Sequence, residues 1–71
     1  MNNERRKRQR FTRWVKAMVK KYGLIVMTVE KQAGLTNGCL HNAFERESAM
    51  NSLTVEAVKP VIEKMTGEKY Q

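Results

Sequence analysis

The stretch that most constrains the fold is "VEKQAGLTNGCLHNAFERE", residues 29–47, because an Asn-Gly pair lies between two segments of mixed apolar and polar residues. Asn-Gly favours a tight hairpin turn between two strands. The alanine, glycine and asparagine residues that flank this pair are unfavourable in strands, however. Leu40, Ala43 and Phe44 instead recur at the i, i+3, i+4 spacing of a helix. We therefore predict two short helices joined by a turn.

Each residue of this turn has a predicted role. Gly34 is expected to end the first helix, and Leu35 is expected to reach into the core. Thr36 is expected to be the N-cap of a second helix over residues 36–46. Gly38 then falls in the first turn of that helix, where glycine costs less than the roughly 1 kcal/mol of a mid-helix position. Glycine there also allows another surface to approach the helix closely.

The residues before this stretch predict one longer helix. Apolar side chains follow the spacing of a single helix face between residues 4 and 22: Phe11, Trp14, Val15, Met18, Val19 and Tyr22. Gly23 is expected to end this helix. Residues 24–29 are rich in β-branched side chains, so a strand is an alternative there. Residues 27–33 fit a short helix better.

The C-terminal part predicts a last helix. Its apolar residues again follow helical spacing: Val55, Val58, Ile62 and Met65. Either Ser52 or Thr54 can cap its start. Pro60 lies inside the pattern, where it removes a backbone hydrogen bond. We therefore expect either one kinked helix or two helices, over residues 54–59 and 60–66.

Together these segments predict an all-α fold, a small single-domain helix-turn-helix bundle of about four to five helices. The 71 residues are enough for one domain only. Residues 1–10 have no apolar face, and we interpret them as a basic arm whose order the sequence leaves open. The domain is expected at residues 11–67, with the two-helix motif at about 27–46 and a tail at 68–71.

Positive charge is concentrated in the first third of the chain. Residues 1–23 contain nine of the 14 Lys and Arg residues and one of the seven acidic residues, which gives a net charge of +8 against −1 for the remainder. Such a basic segment favours a polyanionic partner, most often nucleic acid. An anionic membrane surface is the weaker alternative.

Several other classes of protein are disfavoured. The longest apolar run, residues 24–27, is far too short to span a membrane, and no secretory signal is recognisable. The single Cys39 cannot form an intramolecular disulfide, and no Cys/His cluster indicates zinc. No nucleophile or second ligand is spaced to serve His41. We expect a cytoplasmic protein without catalytic residues, metal or cofactor.

The segment "TVEKQAGLTNGCLHNAF" resembles the helix-turn-helix of Cro/CI-type (XRE-like) repressors of phages and mobile elements. The resemblance lies in an apolar opening residue, a small residue before the turn glycine, an apolar residue and a hydroxyl after it, and an aliphatic anchor: Val29, Ala33, Gly34, Leu35, Thr36 and Leu40. It implies a homodimeric regulator of transcription, such as a repressor, that binds duplex DNA in a bacterial or phage-infected cell. Glu30 departs from the family, which usually has a small residue there because the two helices cross at this point; Glu30 could lean out into solvent instead.

By the same resemblance, the helix over residues 36–46 enters the major groove. Base contacts are implied for Thr36, Asn37, Gly38, His41, Asn42 and Glu45. Their chemistry suits this role, because asparagine can pair with adenine edges and glutamate can accept from cytosine. The basic segment, and the start of the first motif helix, are expected to contact phosphates or to enter the minor groove: Arg5, Arg6, Lys7, Arg8, Arg10, Arg13 and Thr28.

Two other functions remain open. "ERRKRQRFTRWVKAM" resembles the arginine-rich helical peptides of phage antiterminators, which would make the chain an RNA-binding protein that uses Trp14 for stacking. In the absence of such a role, Trp14 is expected in the core. The third alternative is a protein-interaction module, such as an antitoxin or anti-repressor, whose basic helix meets an acidic protein.

Overall fold

The structure, a computed structural model, describes residues 3–46 and 48–70, and this part of the chain contains four helices and no strand. The helices are α1 (Asn3–Tyr22), α2 (Val26–Gln32), α3 (Cys39–Arg46) and α4 (Ser52–Thr66). The predicted small all-α bundle is confirmed, and a hairpin at Asn37-Gly38 is excluded. None of these four helices is long and apolar enough to cross a membrane.

Helix α1 begins at Asn3 and therefore includes most of the segment that we interpreted as an arm. Residues 3–10 have no fully buried side chain. Arg, Lys, Gln and Glu are nevertheless good helix formers, and Glu4 provides a negative charge in the first turn, where the helix dipole favours it. The rest of α1 buries part of the predicted apolar face: Phe11, Val15 and Met18. Met1 and Asn2 lie outside the described residues.

Helix α2 occupies the segment for which a strand was the alternative, so the helical interpretation is confirmed. It ends at Gln32, with Ala33 as its C-cap, and the next residue, Gly34, has a φ of +73°. The N–H of Gly34 donates to the carbonyl of Lys31 at 3.2 Å. The N–H of Leu35 donates to the carbonyl of Glu30 at 2.8 Å. These two bonds form a Schellman motif, which satisfies carbonyls that a helix end leaves unpaired, and Leu35 packs against the core as predicted.

Helix α4 continues through Pro60, so of the two predicted alternatives a single helix is observed and the split into two helices is excluded. Its N-cap is Asn51, whose Oδ1 accepts a hydrogen bond from the N–H of Thr54 at 2.8 Å. The prediction that Ser52 or Thr54 is the cap is therefore also wrong, because both lie inside the helix. Asn51 succeeds as a cap because its backbone is extended and its side chain reaches the third N–H of the helix.

A single core joins all four helices. Its buried members are Phe11, Val15, Met18, Val29, Leu40, Phe44, Met50, Val58 and Ile62. Helices α1 and α2 both pack against α3 and α4. Leu40 and Phe44 anchor α3 in this core, as their spacing predicted, and the opposite side of α3 faces solvent. The core thus fixes which side of α3 is available to a partner.

The segment after α4 packs back onto α1. The ring of Tyr70 lies 5.0 Å, centre to centre, from the rings of both Phe11 and Trp14. The N–H of Tyr70 also donates to a carboxylate oxygen of Glu63 at 3.1 Å. Trp14 is half-buried in this aromatic cluster, which agrees with the expectation that it is a packing residue.

Candidate nucleic-acid interface

The start of α3 is held by a carboxylate from α2. Glu30 Oε1 accepts a hydrogen bond from the N–H of Gly38 at 3.1 Å, and Oε2 accepts one from the N–H of Leu40 at 2.7 Å. Glu30 is only 3% exposed. The possibility that Glu30 leans out into solvent is therefore excluded. It points inward and joins the two helices of the motif.

Helix α3 begins at Cys39, three residues later than predicted, and Thr36 is not its N-cap. The reason is the backbone of Gly38, whose φ of +90° does not occur in a right-handed helix. Gly38 therefore precedes the helix and has no side chain with which to cap it. The first N–H groups of a helix lack partners within the helix, and a negative charge is favourable there. The carboxylate of Glu30 meets both requirements.

The six residues predicted to contact bases divide between the turn and the helix. Thr36, Asn37 and Gly38 lie in the turn, whereas His41, Asn42 and Glu45 lie on α3. Five of them are exposed, and Gly38 is half-buried beneath them. The turn and the outer side of α3 therefore present a polar surface, on a backbone that Glu30 and the core hold in place.

Two of the exposed residues on α3 are already paired with each other. His41 Nε2 lies 2.7 Å from Glu45 Oε2, across one turn of the helix. Asn42 faces a different side, since it lines a surface depression between α3 and the start of α4, together with Arg46 and Asn51. The predicted set is thus not one cluster. Asn37 in the turn and the His41–Glu45 pair are two distinct groups, and Asn42 is a third.

The predicted phosphate contacts on α1 are exposed with one exception. Arg5, Arg6, Lys7, Arg10 and Arg13 are all exposed. Arg8 is half-buried, and its Nε atom is buried without a hydrogen-bond partner in the described part of the chain. Four side chains line one groove along the surface of α1: Arg6, Gln9, Arg10 and Arg13. The positive charge of α1 is therefore mostly accessible to a polyanion.

Thr28 lies in the first turn of α2, where a phosphate site was predicted. Its side chain is exposed, but its backbone N–H donates to the carbonyl of Ile25 at 3.0 Å. The N–H of Val29 donates to the same carbonyl at 3.1 Å. The backbone N–H of Thr28 is thus already paired, and of its polar groups the exposed side-chain hydroxyl is the one accessible to a phosphate.

Near its end, α1 is joined to the C-terminal segment by a second carboxylate. Glu68 Oε2 accepts hydrogen bonds from Lys21 Nζ at 3.0 Å and from the hydroxyl of Tyr22. The hydrogen bond from Tyr22, and then that from Lys21, lower the pKa of Glu68 below its ordinary value. The same contacts raise the pKa values of Lys21 and Tyr22. Lys21 is thus engaged by the protein itself.

Two contacts at this interface were missed in the sequence analysis. The sequence drew attention to Glu30 only because it differs from the usual residue of the repressor motif. Gly38 has no side chain that could cap α3, and this is the signal that could have identified Glu30 as the cap. Thr12 is buried, and its Oγ1 donates to the carbonyl of Ser48 at 2.9 Å, which ties α1 to the loop after α3. Threonine within an apolar helix face gives no sequence signal for such a contact.

Residues 3–46 and 48–70 contain no group of three or more His, Cys, Asp or Glu side chains that could hold a metal ion. Cys39 is a free, half-buried thiol at the start of α3. Comparison with protein-family models, with curated proteins and with solved structures finds no match to this chain. Functional inference therefore depends on the geometry and charge described above.

Proposed function

We propose that this protein is a sequence-specific duplex-DNA-binding regulator of transcription that inserts α3 into the major groove. The observation that supports it most is the capping of α3 by Glu30. Two hydrogen bonds from a buried carboxylate hold the start of α3 in one position relative to α2. Base recognition needs side chains on a rigid, correctly placed helix, because a small displacement breaks bidentate contacts.

In this proposal, the turn and the first turns of α3 make the base contacts. Asn37 would pair with an adenine edge, since its exposed amide has both a donor and an acceptor. His41 and Glu45 would approach the bases as a pair, because their side chains contact each other across one helical turn. Exposed cations of α1 would add sequence-independent attraction to phosphates.

The proposed regulator acts as a homodimer in the cytoplasm of a bacterial or phage-infected cell, with repression as the simplest effect of occupying a promoter. One short helix reads only a few base pairs, so a dimer on a two-fold site is expected. Leu53, at the start of α4, is 77% exposed, so we propose the start of α4 as the dimer contact; the nearby Met50 is buried in the core.

The test is selection of preferred sites from a random pool of duplexes, followed by binding to the selected site and to random duplex DNA. Asn37→Ala and His41→Ala should each weaken binding to the selected site by about 1–3 kcal/mol and have little effect on random DNA. Gln32→Ala removes an exposed amide from the end of α2 and serves as the control. Failure to enrich any sequence, or equal weakening on both kinds of DNA, would contradict the proposal.

RNA binding through α1 is the second candidate, and one observation favours it. Helix α1 is continuous from Asn3, so its arginines already have the helical arrangement of an arginine-rich recognition peptide. Trp14 argues against it, because its ring packs against Phe11 and Tyr70 and is only half-exposed for stacking on a base. Duplex DNA therefore remains the first choice.

A further inference from the structure

Two exposed side chains of α3, Asn42 and Arg46, lie on the side of the helix opposite the core. Asn42 is two positions from each of the buried residues Leu40 and Phe44, which places it about 160° around the helix from both. Arg46 follows one turn later, about 40° from Asn42. Both side chains line the same surface depression between α3 and the start of α4. They therefore form one line, which we call the outer line of α3.

The guanidinium of Arg46 is not engaged within the described part of the chain. No ion pair or hydrogen bond joins it to another described residue, and the adjacent Glu45 is paired with His41 instead. A positive charge in the last turn of a helix is favourable, which accounts for a cation at this position. It does not account for the planar guanidinium, whose parallel N–H groups bind two acceptors at once. Arg46 is thus available to a partner with two adjacent acceptors.

The outer line is placed to face base edges when α3 lies in the major groove. The eight residues of α3 extend about 12 Å, which is close to the width of that groove, so Arg46 stays within the groove although it is the last residue of the helix. The side of α3 opposite the core faces the floor of the groove, where the base edges lie, and its flanks face the two backbones. The length of an arginine side chain allows it to reach those edges from the helix end.

We propose that Arg46 is a specificity-determining residue that reads a guanine in the major groove. Guanine presents two adjacent acceptors there, O6 and N7, and a bidentate arginine is among the commonest contacts to them. Asn42, on the same outer line, would read an adenine through N6 and N7. This inference rests on the proposed function, because it requires α3 to lie in the groove.

The spacing along the outer line limits how far apart the two bases can be. The four positions from Asn42 to Arg46 correspond to a rise of about 6 Å along α3. Successive nucleotides of one strand are about 3.4 Å apart, so the adenine and the guanine should lie within about two base pairs of each other.

The test compares Arg46→Ala with the matched control Arg5→Ala, which removes the same side chain from an exposed position of α1. Alanine is the best helix former, so neither variant is expected to unfold its helix, and thermal unfolding followed by circular dichroism checks this. Sites are selected from a random pool of duplexes with wild type, and every position of the selected site is then exchanged in turn. Binding of each exchanged site is measured for all three proteins.

Wild type should select a G·C pair at one position that depends on Arg46. Exchange of this pair for A·T should weaken wild type and Arg5→Ala at least about tenfold, and Arg46→Ala less than about threefold. Replacement of the guanine by 7-deazaguanine removes only the N7 acceptor, and it should weaken wild type but not Arg46→Ala. Asn42→Ala should relax a different position, an A·T pair within about two base pairs.

Three outcomes on a selected site would overturn the inference. The first is that Arg46→Ala keeps the preference at every position and weakens selected and random duplexes equally, which would make Arg46 a phosphate contact. The second is that 7-deazaguanine leaves wild-type binding unchanged at every guanine of the site. The third is that the positions relaxed by Asn42→Ala and by Arg46→Ala lie more than about four base pairs apart.

Failure of this inference is distinguishable from failure of the proposed function. The proposed function is tested by enrichment of any site and by the effect of Asn37→Ala, and neither result requires Arg46. An enriched site that depends on Asn37 but keeps all its preferences in Arg46→Ala would refute the role of Arg46 alone. Failure of wild type to enrich any sequence would refute both.

Discussion

Two carboxylates hold helix ends in this protein, and they do so in opposite environments. Glu30 accepts the first N–H groups of α3 and is 3% exposed. Glu68 accepts from Lys21 and Tyr22 near the end of α1, and its side chain is 39% exposed. Each makes two hydrogen bonds. They differ in whether water can replace those bonds.

This difference predicts different consequences for the loss of each carboxylate. When Glu30 is removed, the buried N–H of Leu40 has no acceptor. An unpaired buried donor lowers the free energy of unfolding by more than the original hydrogen bond contributed to it. When Glu68 is removed, water hydrates Lys21 and Tyr22, as it does for most surface ion pairs. Glu30 should therefore govern the stability of the motif, and Glu68 should only adjust how the C-terminal segment attaches.

The largest expected effect is that of Glu30→Ala. It leaves the N–H of Leu40 buried and that of Gly38 partly buried without acceptors, so we expect a loss of about 2–4 kcal/mol in the free energy of unfolding. Glu30→Gln keeps one acceptor oxygen and should lose less. Urea unfolding followed by circular dichroism measures both, with Glu56→Ala, an exposed acid on α4, as the control. A loss below about 0.5 kcal/mol for Glu30→Ala would contradict the role assigned to this carboxylate.

A smaller effect is expected from Gly38→Ala, which leaves both carboxylates in place. A Cβ at this position would meet no atom within 4 Å, so a clash is not the reason. The reason is the φ of +90°, which costs a residue with a side chain about 1–2 kcal/mol. Gly38→Asn should lose less, because asparagine tolerates positive φ better. Equal losses for both variants in the same unfolding assay would argue against backbone strain.

Helix periodicity was enough to predict much of this fold, and failed where a long-range contact decides the outcome. The faces of α1 and α3 follow from their apolar spacing, and the end of α2 follows from Gly34. The start of α3 could not be predicted from local capping rules, since its cap, Glu30, comes from another helix. At α4, Asn51, Ser52 and Thr54 are all able to cap, and only the extended backbone at Asn51 selects one of them.

The candidate site was predicted as a set of residues but not as an arrangement. Exposure of Asn42 follows from its position opposite Leu40 and Phe44 on α3, and that of Asn37 from its place in the turn. The pairing of His41 with Glu45 follows from i, i+4 spacing and could have been predicted. The partial burial of Arg8 could not, because it depends on how the N-terminal turns of α1 meet the rest of the fold.

The smallest effect belongs to Glu68, and pH is the variable that reveals it. The pKa of Glu68 is lowered from its ordinary 4.5, so its stabilising contacts are present above about pH 4.5 and are lost as pH falls through the lowered value. The pKa values of Lys21 and Tyr22 are raised from 10.5 and 10.0, so their contribution is present below those values and is lost at higher pH. Wild type should therefore be slightly more stable than Glu68→Gln near neutral pH, and the two should converge in acid and in strong base. Thermal unfolding across this range, with a spectroscopic titration of Tyr22 in a Tyr70→Phe background, measures both effects. A gap between the two proteins that persists undiminished in acid would mean that Glu68 acts through packing and not through its charge.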